Sequence, residues 1–196
     1  GTTEFPVPYW QSQNTALYLG DVCDQLKQLP SRSVHCVVTS PPYWKLRDYG
    51  ICECTLWLSG YDSKHSSLTG GGNVEHRHPN SNCTKCNGTG RLIPLSNQIG
   101  AENTADCVGW ATGKSCGKCF VCHIVEVFNN IHRILRNDGT VWLNLGDTFD
   151  GIQYLVPART ALALQANGWI LRQDIIWYAP NKMPESVENR CTKSHE

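Results

Sequence analysis

One short stretch constrains the fold of this chain more than any other: an apolar, β-branched run that stops abruptly at two prolines. Residues 34–39 are rich in valine and end in threonine, and Pro41 and Pro42 follow directly after Ser40. Proline has no backbone N–H, so it cannot continue a strand in the interior of a sheet. The pattern predicts a strand over residues 34–39 that places Ser40 at its carboxyl end.

Strand-like and helix-like segments alternate along most of the chain. An apolar segment at residues 16–19 precedes Gly20-Asp21 and a helical pattern that reaches Leu29. From His123, apolar residues recur at helical spacing up to the end signal Asn137-Asp138-Gly139. A strand, a helix and another strand are then predicted over residues 140–145, 158–167 and 169–177. This alternation predicts an α/β fold, with a parallel or mixed sheet and helices on both faces.

Ligands of such a fold bind beyond the carboxyl ends of its strands. Ser40 ends one predicted strand, and Asn144 and Asp147 lie at the end of another. Polar groups there need partners, which a cofactor or a substrate could supply. The tryptophans within predicted strands are instead expected to pack in the core rather than to stack on bases: Trp142, Trp169 and Trp177.

Residues 51–122 differ in character, because they are rich in Cys, Gly, His, Asn and Ser and show little periodicity. We predict an insertion there, between two parts of one domain at residues 1–50 and 123–196. No apolar run reaches the length of a membrane span, and residues 1–10 lack the pattern of a signal peptide, which predicts a cytoplasmic protein with no membrane partner. Eleven cysteines in a reducing compartment favour metal binding over disulfides.

Two cysteine pairs have the spacing of zinc knuckles, Cys83-Thr-Lys-Cys86 and Cys116-Gly-Lys-Cys119. The first, followed by Asn-Gly-Thr-Gly, resembles the knuckle of DnaJ-type chaperones. Two pairs complete a tetrahedral site, so we predict one structural Zn²⁺ on these four cysteines, with Cys122 and His123 as alternates in the second pair. Free thiols in a loop are the alternative.

A second ion is a weaker prediction, since isolated histidines are more often solvated than metal-bound. Its candidate ligands are Cys52, Cys54, His65, His76, His78 and Cys107. Two other cysteines lie beside or within predicted regular structure and are expected to act as small apolar residues: Cys23 and Cys36.

The residues after the first strand suit chemistry on a base amine. The lone pair of an exocyclic amine is delocalised into the ring, and acceptors aimed at its N–H bonds localise it. The Ser40 side chain and the Pro41 carbonyl can accept such bonds, and the prolines stiffen the loop. Tyr43 can stack on a base turned out of the duplex, and Trp44 can add a second wall. The alternative is a strand that ends in a Pro-Pro turn followed by core aromatics.

Thr39-Ser-Pro-Pro-Tyr-Trp44, after an apolar strand, resembles motif IV of the DNA amino-methyltransferases of the N4-cytosine and N6-adenine type. Leu19-Gly20-Asp21 and residues 140–147 and 173–177 resemble other segments of that family, in the order of the permuted class called beta. The resemblance implies a Rossmann-like methyltransferase domain that uses S-adenosyl-L-methionine. It implies Asp21, Thr39 and Ser40 at the cofactor site and Ser40, Pro41, Pro42 and Tyr43 as catalytic residues.

The same resemblance implies double-stranded DNA as the substrate and a cognate restriction endonuclease as a genetic partner. Because the motif begins with Ser40, where adenine enzymes more often carry aspartate, cytosine N4 is favoured over adenine N6. The family's glycine-rich Phe-x-Gly-x-Gly loop does not occur in this sequence, so the chain is expected to be a front portion that binds the cofactor weakly alone. A catalytically incompetent zinc module that binds nucleic acid or a partner protein is the alternative.

Net charge does not separate these alternatives. Seventeen basic residues balance seventeen acidic ones, so the total gives no sign of a phosphate-binding surface. The basic residues that flank the predicted site could contact phosphates or remain solvated, and both interpretations stay open: Lys45, Arg47, Lys182, Arg190 and Lys193.

Overall fold

The computed structural model describes residues 5–46, 84, 98–150, 152–181, 191–192 and 195. Their elements, in chain order, are β1 (Trp10–Gln11), β2 (Ala16–Leu17), α1 (Val22–Gln28), β3 (Val34–Thr39), a 3-10 turn (Gly109–Thr112), α2 (Phe120–Ile134), β4 (Leu135–Leu143), β5 (Phe149–Asp150), β6 (Ile152–Gln153) and α3 (Val156–Ala166). Helices and strands alternate, which agrees with the predicted α/β class. None of the helices in this part of the chain is long and apolar enough to cross a membrane.

Helix α2 is the centre of the core. Nine of its fifteen residues are buried, and they recur at the helical spacing that predicted the element. Helices α1 and α3 both pack against it. The helix begins at Phe120, which is fully buried, so it crosses the predicted domain boundary between residues 122 and 123.

Strands β3 and β4 form a parallel pair. Val37 pairs with Val141 and Thr39 with Leu143, and the backbone N–H of Asn144 extends the ladder to the carbonyl of Thr39 at 3.0 Å. The register shifts between Val34 and Cys36, where β4 carries extra residues before Thr140. The strand predicted at residues 34–39 is confirmed, with Ser40 at its carboxyl end.

The two faces of this pair have different surroundings. Val37, Val141 and Leu143 pack against the core. On the other face, Val38 is 78% exposed and its register partner Trp142 is 54% exposed. Helices on both faces were predicted, but within the described ranges only one face is covered.

The strand predicted at residues 169–177 has no partner strand among the described residues. The nearest pairing there is an isolated bridge between Tyr178 and His195. A strand requires a neighbour for its backbone groups. Trp177 is 64% exposed, so its predicted burial is wrong, as it is for Trp142.

Trp169 does pack as predicted, with its ring edge-on to Phe128 at a centroid distance of 5.8 Å. Cys23 is partly buried against the core, in agreement with its expected apolar role. Cys36 is exposed, because it lies on the open face of β3. Its sulfur accepts a hydrogen bond from the Thr140 hydroxyl at 3.6 Å.

Candidate active site and thiol cluster

The loop of residues 40–44, called here the SPPYW loop, leaves β3 at the edge of the sheet where β4 also ends. Ser40 is exposed, and Pro41, Pro42 and Tyr43 are half-buried. The Tyr43 ring lies so close to Gly146 that a Cβ on that glycine would come within 2.9 Å of the ring Cδ2. The structure thus brings the ends of both predicted strands together, because parallel strands finish at one edge.

Trp44 anchors this loop in the core. It is only 2% exposed, and its indole N–H donates to the carbonyl of Glu102 at 2.8 Å. Its ring meets that of Tyr154 edge-on at 4.7 Å. An indole that is buried and hydrogen-bonded in this way is not accessible for stacking on a base. The structure therefore favours an anchoring role for Trp44 over the base-stacking role suggested from the sequence.

Two more backbone contacts hold the SPPYW loop. The N–H of Lys45 donates to the carbonyl of Gly100 at 2.6 Å, and the Thr148 hydroxyl donates to the carbonyl of Trp44. Gly100 has φ +97°, and a Cβ there would come within 2.9 Å of the Tyr43 carbonyl. A glycine is therefore needed for the backbone to approach the loop so closely. The aliphatic stem of Lys45 brings its ammonium to 4.7 Å from the Trp44 ring centroid.

The acidic residue that follows β4 has a structural partner. Asp147 accepts hydrogen bonds from the N–H groups of Leu155 at 2.8 Å and Val156 at 2.9 Å, at the start of α3. It also accepts from the N–H of Thr148 at 3.0 Å. A carboxylate in this position satisfies the unpaired amides of the first helical turn. A cofactor or substrate was the suggested partner, whereas the structure shows a helix cap.

Asp21 also caps a helix, and only one of its two carboxylate oxygens takes part in the cap. Its Oδ1 accepts from the N–H groups of Cys23 at 2.9 Å and Asp24 at 3.2 Å, which begins α1. The residue is exposed, and both hydrogen bonds of the cap use Oδ1. The cap therefore does not involve the second carboxylate oxygen, Oδ2.

Four cysteines converge beside the start of α2. The sulfurs of Cys107, Cys116, Cys119 and Cys122, called here the thiol cluster, all lie within 4.8 Å of one another. Those of Cys107 and Cys122 are 3.6 Å apart. Cys116 and Cys119 were predicted to act together, and Cys122 was an alternate for this pair.

Among the described residues, Cys107 lies beside that pair, together with Cys122. Sequence analysis gave the other half of the site to Cys83 and Cys86, which lie outside the described residues, and assigned Cys107 to a weaker second site. A local signal for Cys107 is the glycine two positions later, since the N–H of Gly109 donates to its sulfur at 3.3 Å. His123, the other alternate, points elsewhere: Nδ1 lies 2.8 Å from Glu102 Oε1, and Nε2 lies 3.1 Å from the Gly117 carbonyl.

The surroundings of the thiols differ. Burial opposes ionisation of Cys116, but the N–H groups of Lys118 and Cys119 outweigh it and lower the pKa of that thiol to about 6. Burial raises the pKa of Cys119 and of Cys107. The cluster thus favours a thiolate at Cys116 over one at either of those two.

Glu102 joins the thiol cluster to the SPPYW loop, and nothing in the sequence marked it. Its side chain is buried. Oε1 contacts the His123 ring, and Oε2 accepts the N–H of Gly100 at 2.8 Å. Its backbone carbonyl accepts the indole N–H of Trp44. Burial lowers the pKa of His123, but the hydrogen bonds to Glu102 and Gly117 outweigh it and raise the pKa. In the protonated ring, both nitrogens donate, one to each partner.

The thiol cluster segment is tied to α3 as well. The Asp106 carboxylate, 2% exposed, pairs with Arg159 of α3 at 2.9 Å. It also accepts the indole N–H of Trp110 and the N–H of Val108, both at 2.8 Å. These bonds place the residues before and after Cys107 against the core.

Comparisons with known proteins identify the family of this chain. The family model N6_N4_Mtase, described as DNA methylase, matches residues 34–196. The chain is 31% identical, over 92% of its length, to the Type II methyltransferase M.Cfr9I of Citrobacter freundii, and 32% identical, over 94%, to M.XycI of Xanthomonas campestris pv. cyanopsidis. It is 30% identical, over 92%, to M.SmaI of Serratia marcescens. The chain covers 51%, 53% and 53% of these relatives, about half of their length.

Proposed function

Because the chain belongs to the DNA methylase family of amino-methyltransferases, we propose that its SPPYW loop directs transfer of a methyl group to the exocyclic amine of a DNA base. The observation that carries the proposal is the position of this loop. Ser40 is exposed at the carboxyl end of β3, whereas Trp44, at the other end of the loop, is buried and hydrogen-bonded. The reacting end is open to a substrate and the far end is rigidly held.

The polar residues near the end of β3 and the start of α1 suit S-adenosyl-L-methionine, the methyl donor that the family uses. Hydroxyl and amino groups of such a ligand need acceptors, and Asp21 offers an exposed carboxylate oxygen that its helix cap does not use. Thr39 and Ser40 contribute the end of β3, the usual position for ligands in this class of sheet. These three residues would hold part of the cofactor. When bound, it supplies an electrophilic methyl group on a sulfonium centre.

The roles of the loop residues follow from their chemistry. The Ser40 hydroxyl and the Pro41 carbonyl accept the N–H groups of the target amine and turn its lone pair toward the methyl group. Pro41 and Pro42 limit the backbone conformations of the loop. The half-buried Tyr43 ring, backed by Gly146, is proposed to stack on a base turned out of the duplex.

We propose cytosine N4 as the target atom, with adenine N6 as the competing one. Ser40 is a neutral hydroxyl, which accepts a hydrogen bond but is a poor proton acceptor, so the amine proton passes to water. This arrangement suits direct attack by the amine. Double-stranded DNA is the proposed substrate, and a restriction endonuclease is the proposed genetic partner because the relatives are named Type II methyltransferases.

The test uses the full-length protein, DNA and labelled S-adenosyl-L-methionine, followed by digestion and mass analysis of the nucleosides. N4-methylcytosine is the expected product. N6-methyladenine would overturn the choice of atom, and no methylated base would overturn the activity and favour a binding module.

A loop variant tests the roles of the residues. Ser40→Ala should remove one hydrogen bond worth about 1–3 kcal/mol, and so slow transfer by about 5- to 150-fold, without abolishing cofactor binding. Ser12→Ala, in the exposed turn between β1 and β2, is the matched control and should keep the parent rate. An unchanged rate for Ser40→Ala would contradict its role.

A further inference from the structure

The thiol cluster has the dimensions of a metal site. A tetrahedral zinc site with Zn–S bonds of about 2.3 Å has sulfur–sulfur separations of about 3.8 Å. The four sulfurs lie within 4.8 Å of one another, and those of Cys107 and Cys122 are 3.6 Å apart. We propose that Cys107, Cys116, Cys119 and Cys122 bind one zinc ion, and that this ion fixes residues 98–105 against the SPPYW loop.

The backbone around the sulfurs is arranged for thiolates. Cys116 Sγ accepts the N–H groups of Lys118 at 3.4 Å and Cys119 at 3.3 Å. Cys119 Sγ accepts the N–H of Cys122 at 3.4 Å, and Cys122 Sγ accepts that of Cys116 at 3.4 Å. Amide donors stabilise negative charge on sulfur, which a metal ligand needs because the thiolate is the form that binds.

Zinc fits these ligands better than a disulfide does. The separation of 3.6 Å between Cys107 and Cys122 is well beyond a disulfide bond of about 2.05 Å, and the other two cysteines are equally free of disulfides. Four thiolates select zinc among the common divalent ions and leave no position for water or substrate. The site is therefore structural.

The route from the site to the SPPYW loop is short. Cys119 caps α2, and the next two N–H groups, those of Phe120 and Val121, donate to the carbonyls of Thr104 at 3.1 Å and Ala105 at 3.0 Å. Two residues before Thr104 is Glu102, whose carbonyl holds the Trp44 indole. Fixing the start of α2 thus fixes the segment that holds the loop.

A second connection runs through the knuckle itself. The carbonyl of Gly117, between two of the ligands, faces the His123 ring, which also contacts the Glu102 carboxylate. Glu102 Oε2 in turn accepts the N–H of Gly100, whose carbonyl holds Lys45. Loss of the ion would loosen both ends of this chain of contacts.

Metal content tests the ligand set. Elemental analysis of the full-length protein, purified without chelators, should show one zinc per chain fewer in Cys107→Ser and in Cys122→Ser than in the parent protein. The difference is the relevant quantity, because cysteines outside the described residues can bind metal too. Cys36→Ser, an exposed cysteine outside the cluster, is the control and should keep the parent content. Cys107→His, which restores a ligand, should regain the lost ion.

Two outcomes would overturn the site. One is parent zinc content in both serine variants, and the other is iron in place of zinc in the parent protein. Cobalt substitution adds a spectroscopic criterion, since four thiolates around Co²⁺ give intense visible bands, which Cys122→Ser should weaken. These measurements do not require methyltransferase activity, so the metal site stands or falls separately from the proposed function.

Hydrogen exchange tests the coupling to the SPPYW loop. Zinc removal should speed exchange in peptides covering residues 41–46 and 98–105, above all at the Lys45 N–H, while the β1–β2 hairpin keeps its rate. The Cys107→Ser variant should show the same pattern without chelator. Unchanged exchange at residues 41–46 in both experiments would refute the coupling and leave only an isolated metal site.

Discussion

Gly146 lies against the ring of Tyr43, at the point where the SPPYW loop passes the end of β4. The space between them is too small for a side chain, because a Cβ would come within 2.9 Å of the ring Cδ2. The position of the ring that is proposed to contact the base therefore depends on a residue that has no side chain of its own.

Gly146→Ala should displace the Tyr43 ring and slow methyl transfer, with an overpacking cost of about 1–3 kcal/mol in the free energy of unfolding. Rates and denaturant unfolding of the full-length protein measure the two effects. In a Tyr43→Ala background the added methyl group finds room, so the effect on the rate should largely disappear. An equal effect in both backgrounds would show that Gly146 acts through something other than the ring.

Trp44→Phe should lower the free energy of unfolding by about 1–3 kcal/mol, because the buried carbonyl of Glu102 loses its donor. Thermal or urea unfolding gives the value. Trp142→Phe is the matched control, since that indole is 54% exposed, and its change should stay within about 0.5 kcal/mol. Equal effects of the two substitutions would argue against the anchoring role of Trp44.

Asp147→Ala should destabilise α3 by about 0.5–2 kcal/mol, because the N–H groups of Leu155 and Val156 lose their acceptor. Asp147→Asn keeps one side-chain oxygen and should have an intermediate effect. Unfolding measurements rank the three proteins. If Asp147→Ala instead leaves stability intact and abolishes cofactor binding, the carboxylate is a ligand group and not primarily a cap.

Arg159→Leu should lower the free energy of unfolding by about 1–3 kcal/mol, since the Asp106 carboxylate, 2% exposed, loses one of its hydrogen-bond donors. Trp110 and Val108 continue to donate to it, which limits the loss. Lysine at position 159 retains a positive charge and should recover part of the stability. If the free energy of unfolding of Arg159→Leu equals that of the parent within error, water replaces the guanidinium as a hydrogen-bond donor without loss of stability.

Sequence pattern alone located the elements whose periodicity is set locally. The order of apolar residues and prolines predicts the strand at residues 34–39, the helix α2 and the position of Ser40. The structure confirms all three. The strand predicted at residues 169–177 finds no neighbour within the described ranges, and a local pattern does not specify which neighbour a strand will have.

The site residues divide in the same way. Trp44 and Tyr43 are adjacent in sequence, yet Trp44 is buried and Tyr43 is half-exposed. The Trp44 indole is held by the distant residues Glu102 and Tyr154. The proximity of Cys107 to Cys116 and Cys119 does not follow from spacing, since Cys107 reaches them through the folding of the intervening residues. Long-range contacts therefore decide which of several chemically equivalent residues are used.

The outer face of β3 and β4 has a consequence for how this part of the chain behaves in water. Val38 and Trp142 stand side by side there, and both are more exposed than covered. Adjacent apolar side chains on an open sheet attract one another between molecules, and this lowers solubility. The tendency of the protein to self-associate through this face should therefore fall when a charged residue replaces Val38.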